Sequence, residues 1–193
     1  MKKLIALTFI ISIAFIFWLI THLGGFKEVE LSEKAAGPFE LIGRDHLGAY
    51  HKIAPVITEV ETWIKANGDD CTLTFGQYLD DVESVPEDRL RSFGGCIVSS
   101  NYHPTNLPEG YRKLKLESHR YLVAQFEGAP SIGPIKVYPK AMEYLEHHRL
   151  TLNGPIMETY ELLGQKGIRT RYYFPITDLT GENTAGGETK SGD

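Results

Sequence analysis

Cysteine is scarce: the 193-residue chain holds only Cys71 and Cys96. Two cysteines exclude a disulfide-built miniprotein, and without C-x-x-C spacing they exclude a zinc ribbon or a thioredoxin-type redox pair. Basic clusters are missing as well. No run of lysine and arginine exceeds two residues, and the formal net charge is −5. That balance argues against nucleic acid as a partner, because nucleic acid is met by a basic face. No glycine-rich phosphate loop follows a strand, and neither an H-E-x-x-H pattern nor a nucleophile elbow occurs. Asp69-Asp70 and Asp80-Asp81 read as turn residues before they read as metal ligands. His147-His148 are adjacent rather than one turn apart and close a helix, where their charge suits the dipole. Neither a metal nor a cofactor is expected.

One long hydrophobic run is present, from Leu4 to Ile20, after Met1-Lys2-Lys3. Extended by Thr21–Leu23, it meets the ~17–25 residues of a bilayer span. Trp18 suits a membrane interface. A cleaved signal peptide is the competing reading. The run exceeds the ~7–15 apolar residues of such a peptide, and no A-x-A site follows, so an uncleaved transmembrane anchor over 4–23 is favoured. Lys2 and Lys3 then put residues 1–3 in the cytoplasm and the following domain on the periplasmic or extracellular side. The expected partners are the membrane, through this helix, and a small molecule; a protein partner is not specified.

The composition of the whole is ordinary, 42% hydrophobic and 23% charged, which suits one folded domain of roughly 150 residues. Two stretches, 41–68 and 122–149, read as copies. Each begins as an apolar run, passes a Gly-Ala and enters a helix. The helical stripes are Val56, Val60, Trp63 and Ile64, and Val137, Ala141, Tyr144 and Leu145, spaced for one buried face. Trp63 is therefore assigned to the core. Alternation predicts strands over 29–32, 39–42, 72–79 and 91–98 in the first half. Tyr111–Leu116 and Arg120–Phe126 are expected to form a hairpin in the second half. There Ile135–His148 reads as a helix, and 156–163 with 169–176 as a closing hairpin. Gly94-Gly95 inside a strand reads as a bulge. Each half is thus ββαββ, in an α+β, pseudo-two-fold domain over 24–177, with a disordered tail over 178–193 that is nearly free of apolar residues. A seam between similar halves is a natural place for a ligand.

The duplicated halves carry two local motifs. One is Gly76-Gln77-Tyr78-Leu79-Asp80-Asp81, followed by Val85-Pro86-Glu87-Asp88-Arg89 and a strand ending Gly94-Gly95-Cys96-Ile97-Val98. The other is Pro155-Ile156-Met157-Glu158-Thr159-Tyr160, followed by a strand ending Tyr173-Phe174-Pro175-Ile176. In order and spacing over about 27–177, the chain resembles the GyrI-like small-molecule-binding domain family. It looks most like the membrane-anchored branch that includes an endoplasmic-reticulum autophagy receptor of animals. Its short tail lacks any aromatic residue and there is no room for a helix-turn-helix, so only the ligand-binding module carries over.

The resemblance implies a glutamate on the cleft floor, and Glu158 stands at that place, sharing a strand face with Ile156 and Tyr160. Its bland alternative is a solvent-facing residue on a wet sheet. If Tyr78 and Tyr160 are matched, Gly76 stands where the second half has Glu158. Tyr50, Tyr78, Tyr160, Tyr172 and Phe174 are candidate aromatic walls, though strand aromatics also fill cores. His46 and His51 flank Gly48 and could tune a site or simply pack. Cys71 and Cys96 fall opposite one another around the turn near 81–87, either as a disulfide or as two free buried residues. The favoured function is a membrane-tethered, non-enzymatic cleft that binds an amphipathic or cationic ligand through Glu158 and the aromatic walls. The alternatives are a small hydrolase with Glu158 as its catalytic general base, and a membrane-anchored protein adaptor.

Overall fold

The computed structural model describes residues 1–68, 71–164 and 167–179, apart from the side chains at 2, 4 and 6. The N-terminal helix α1 spans Lys2–His22. The first half then runs β1 (Glu30–Ala36), β2 (Phe39–Leu47), α2 (Ala54–Ala66), β3 (Leu73–Tyr78) and β4 (Arg91–Val98). The second runs β5 (Tyr111–Leu116), β6 (His119–Glu127), α3 (Gly133–His147), β7 (Leu150–Leu152), β8 (Ile156–Leu162) and β9 (Ile168–Asp178). The ββαββ plan is therefore present twice, with β7 added. Asp178 belongs to β9, so the tail expected from 178 begins inside the last strand. Residues 180–193 and the Asp69-Asp70 turn lie outside the described residues.

Both core helices open on a proline in the first turn, Pro55 and Pro134, where the missing N–H has no partner to lose. Asn67 and Gly68, the latter at φ +94°, end α2. On α2 the buried stripe is Ile57, Val60 and Ile64, with Val56 and Trp63 only half-buried. On α3 it is Val137, Ala141 and Leu145.

The strands pair in the order β1-β6-β9-β8-β3-β4-β2-β5, with β7 on the far end of β9. The pattern is symmetric about the β3–β8 pair. It overturns the expected β5–β6 hairpin: β5 pairs with β2, and β1 pairs with β6. Each half lends its first strand to the other. The two-residue connections Gly37-Pro38 and Glu117-Ser118 cross at one point. There the Gly37 Cα, at φ +94°, leaves a Cβ position only 3.2 Å from the Glu117 carbonyl oxygen. Joined this tightly, each first strand runs straight on past its own second strand and finds its ladder across the crossing.

The helices cover one face of the sheet. Under α3 lie Leu122, Ala124, Phe126, Tyr172 and Phe174. Under α2 lie Ile42, Cys96 and Val98. The opposite face, offset by one residue along each strand, gathers Leu41, Phe75, Phe93, Val123, Met157 and Tyr173 from both halves. Gly94 and Gly95 are not a bulge. Their pairing with both β2 and β3 is unbroken. A Cβ on Gly94 would meet Ile57 Cγ1 at 2.8 Å and Ile53 Cδ1 at 2.9 Å. One on Gly95 would clash with the Ile42 carbonyl oxygen. The glycines let α2 and β2 approach the strand.

Cys71 and Cys96 form a disulfide with Cα atoms 5.3 Å apart. The hairpin register sets Thr74, not Cys71, opposite Cys96. Cys71 precedes the strand at φ +46°, and that left-handed turn brings its side chain back over the sheet.

Among the described residues no helix is long and apolar enough to cross a membrane. The apolar run of α1 is interrupted by Thr8 and Ser12. The expected transmembrane anchor is corrected on this ground. With it go the membrane as a partner and the argument for a membrane-anchored branch. The segment after α1 is held on the domain instead. Ala129 N–H donates to the Leu23 carbonyl at 3.0 Å, and the Lys136 ammonium donates to the carbonyls of Gly25 and Lys27.

Gly95→Ala is expected to lower the unfolding free energy by about 2–3 kcal/mol, because the obstacle is backbone and not a movable side chain. Urea denaturation measures this. A loss within error of zero would show that β2 and β4 do not need the close approach.

Candidate functional site

A cleft of about 1500 Å³ opens between α2 and α3, above the seam where β3 pairs with β8. The seam's register sets Gly76 directly across from Glu158. Side chains alternate along β8, so Ile156, Glu158 and Tyr160 share the face that looks into the cleft. Gly76 keeps the centre low. A Cβ there would stand 3.1 Å from the Tyr78 hydroxyl and 3.5 Å from the Tyr160 hydroxyl, in the space those groups use. The pseudo-symmetry is thus broken at its own axis, with a carboxylate on one strand and no side chain on the other.

Glu158 is only 5% exposed. Its Oε2 accepts from the Tyr160 hydroxyl at 3.1 Å and its Oε1 from the Tyr138 hydroxyl at 3.3 Å. Because the Tyr160 proton points at Glu158, Tyr78 is the donor in the 2.8 Å contact between the Tyr78 and Tyr160 hydroxyls. Burial pushes the Glu158 carboxyl up to about 7, and the two tyrosine hydrogen bonds only partly offset it. Burial, with Glu158 close by, likewise pushes the hydroxyls of Tyr78, Tyr138 and Tyr160 far upward, so they remain neutral donors.

The charges around the cleft are one-sided. Glu61, Asp80, Asp81, Glu83, Glu158 and Glu161 line it, and no lysine or arginine does among the described residues. Three of these carboxylates are already paired from outside the cleft: Glu61 with Lys65, Asp80 with Arg91, and Glu161 with Arg169 and Arg171. Glu158, Asp81 and Glu83 have no lysine or arginine partner among the described residues.

Of the residues singled out from the sequence, Glu158, Tyr160, Tyr78 and Tyr50 come together in the cleft. The Tyr50 ring lies 4.7 Å from that of Tyr78, and its hydroxyl donates to the Asp80 carbonyl at 2.7 Å. Tyr172 and Phe174 do not line the cleft. Both are fully buried beneath α3, where the Tyr172 hydroxyl fills the space left by Gly133. They share the sheet face with Glu158, but α3 covers their strand. His51 lies at the rim and His46 outside it. Tyr138 was not foreseen. Matching the two helices residue for residue pairs it with Ile57, which also faces the cleft, and that correspondence was the available signal.

The family model for the GyrI-like small molecule binding domain matches residues 28–177. No curated protein sequence matches the chain. Among solved structures, the C-terminal domain of EcmrR superimposes with a TM-score of 0.61 at 16% identity, over 78% of this chain and 98% of that one. A chain of the EcmrR–DNA complex gives 0.63 at 16% identity, over 91% and 70%. SAV2435 bound to tetraphenylphosphonium gives 0.50 at 14% identity, over 78% and 95%. The presence of this fold in a DNA complex overturns the exclusion of nucleic acid drawn above. A net charge averages over the surface and does not rule out a partner for a given fold.

The raised Glu158 carboxyl has a consequence for stability. Its folded value near 7 lies above the ordinary 4.5, so between those limits the folded protein holds a proton that the unfolded chain releases. Stability should fall as pH rises from about 4.5 to 7, by on the order of 3 kcal/mol, and level off above. Glu158→Gln should remove this slope and be the more stable protein at pH 8. Denaturant midpoints across that range check both statements, and a slope unchanged in the variant would contradict them.

Proposed function

Since the chain belongs to the GyrI-like small-molecule-binding domain family, we propose that its cleft captures an amphipathic or cationic small molecule, with Glu158 at the floor and Tyr50, Tyr78, Tyr138 and Tyr160 as walls. The observation that carries this reading is the state of Glu158. An ionised carboxylate at 5% exposure with no cationic partner among the described residues is costly, and an arriving cation offsets that cost where water does not. The aromatic rings favour a soft, weakly hydrated cation, which they can stack on and attract through their faces. The carboxylates of the lining repel anions. SAV2435, on the same fold, carries a lipophilic cation of this chemical kind. The Cys71–Cys96 disulfide supports an oxidising compartment for the domain.

The binding step includes a proton. Below about pH 7 the Glu158 carboxyl is neutral, and a cation must displace its proton to form the ion pair. Above it the carboxylate is ready. The same raised carboxyl suits a general base, which gives the hydrolase reading its one supporting observation. Turnover separates the two, since a binding module releases its ligand unchanged.

Titration calorimetry with tetraphenylphosphonium is expected to show binding that tightens from pH 6 to 8. Glu158→Gln should weaken it about 10- to 100-fold at pH 8, as fits a charge-assisted contact of ~1.5–3 kcal/mol. Tyr160→Phe should weaken it by less. Equal affinity of wild type and Glu158→Gln at pH 8 would refute the role given to the carboxylate.

A further inference from the structure

The cleft has a second pole. From Glu158 an unbroken row of tyrosines leads outward: the Tyr160 hydroxyl on Glu158, the Tyr78 hydroxyl on that of Tyr160, and the Tyr50 ring against that of Tyr78. The Tyr50 hydroxyl then holds the backbone of Asp80, donating to its carbonyl and accepting from its N–H at 2.8 Å. This last contact fixes the start of the loop that carries Asp81 and Glu83 into the cleft wall. Arg91 takes both carboxylate oxygens of Asp80. Among the described residues the Asp81 carboxylate accepts from the Ser84 hydroxyl and the Glu83 N–H and meets no lysine or arginine, which leaves its charge uncompensated. Glu83 is exposed beside it and has no lysine or arginine partner among the described residues. One end of the aromatic row therefore meets a buried carboxylate, and the other meets a solvated acidic pair.

Resting on the cation-binding reading, we propose that the cleft is built for an elongated dication: one charge at Glu158, an apolar spacer along Tyr160, Tyr78 and Tyr50, and a second charge at Asp81 and Glu83. The strand sets the reach. Gly76 stands across from Glu158, and Asp81 follows further along the same chain segment. At ~3.3 Å per residue the Asp81 backbone lies at most about 17 Å along the chain from Gly76, the residue opposite Glu158. Apolar wall residues, among them Ile57 on α2 and Met142 on α3, give the spacer its surroundings. A monocation satisfies the floor alone and leaves the outer pair to water. A dication of this length meets both without bringing its charges into the apolar middle.

Two probes decide it: decamethonium, whose ammonium groups are separated by a decamethylene chain, and decyltrimethylammonium, its single-headed counterpart. Both are titrated at pH 8 and constant low ionic strength. The double variant Asp81→Asn, Glu83→Gln keeps the acceptor for Ser84 and removes the charge. It is expected to weaken decamethonium about fivefold and to leave decyltrimethylammonium unchanged, as fits one partly exposed charge pair. Raising the salt should shrink that difference. Equal weakening of both probes would mean a diffuse field and overturn the second pole. A variant indifferent to decamethonium would overturn it too, while leaving the floor site intact if decyltrimethylammonium still depends on Glu158. Binding of neither probe by the wild type would overturn this proposal together with the reading beneath it.

Discussion

The antiparallel pairing of β3 with β8 joins the two halves, and its register positions everything in the cleft. Strand alternation leaves a residue no freedom over which face it occupies, so Gly76 opposite Glu158 fixes the floor. A slip of β8 by one residue would bring Met157 to the cleft face and send Glu158 into the apolar cluster behind the sheet. That cluster holds Phe75, Met157 and Tyr173, and it penalises such a slip heavily. The apolar packing on the far face is what keeps the carboxylate where it is.

A carboxylate held there works against the stability of the fold. The tyrosine hydroxyls solvate it but carry no countercharge, so its ionised form is under-compensated. A lysine or arginine in place of a wall residue would relieve the strain and close the site. Lys65, Arg91, Arg169 and Arg171 are directed away from it, onto Glu61, Asp80 and Glu161. The same arginines that hold the rim together are thereby kept out of the middle.

Much of this was legible in the sequence, because helix stripes and strand alternation are local signals. Alternation and turn residues point to strands over 39–42, 72–79, 91–98, 156–163 and 169–176, where β2, β3, β4, β8 and β9 lie, although β2 runs on to Leu47 and β9 to Asp178. Glu158, Tyr160 and Tyr78 share a face by period two alone. What failed was non-local. Tyr172 obeys the same alternation as Glu158, but α3 lies over it, and no periodicity in β9 says where a helix will rest. Gly94-Gly95 looks like a bulge in one dimension and is a close approach in three. The β5–β6 pairing seemed natural because sequential strands usually pair; here the two-residue links cross instead. The apolar N-terminal run shows the limit of composition, since its amino-acid types suit a span while no helix is long and apolar enough to cross a membrane among the described residues.

The exchange of β1 and β5 makes the two halves inseparable in a way that pseudo-symmetry alone would not. Each half taken by itself is a three-strand sheet with a borrowed fourth, so neither contains its own complete edge. An excised half would carry its first strand unpaired and its second strand bare, a ready template for another chain. The two would find each other as complementary fragments do, each offering the strand the other lacks. Opening the cleft by swinging the halves apart is barred for the same reason: the hinge would have to unthread two ladders. A route into the cleft would then have to run past α2, α3 and the loop after β3, over a floor held by both ladders.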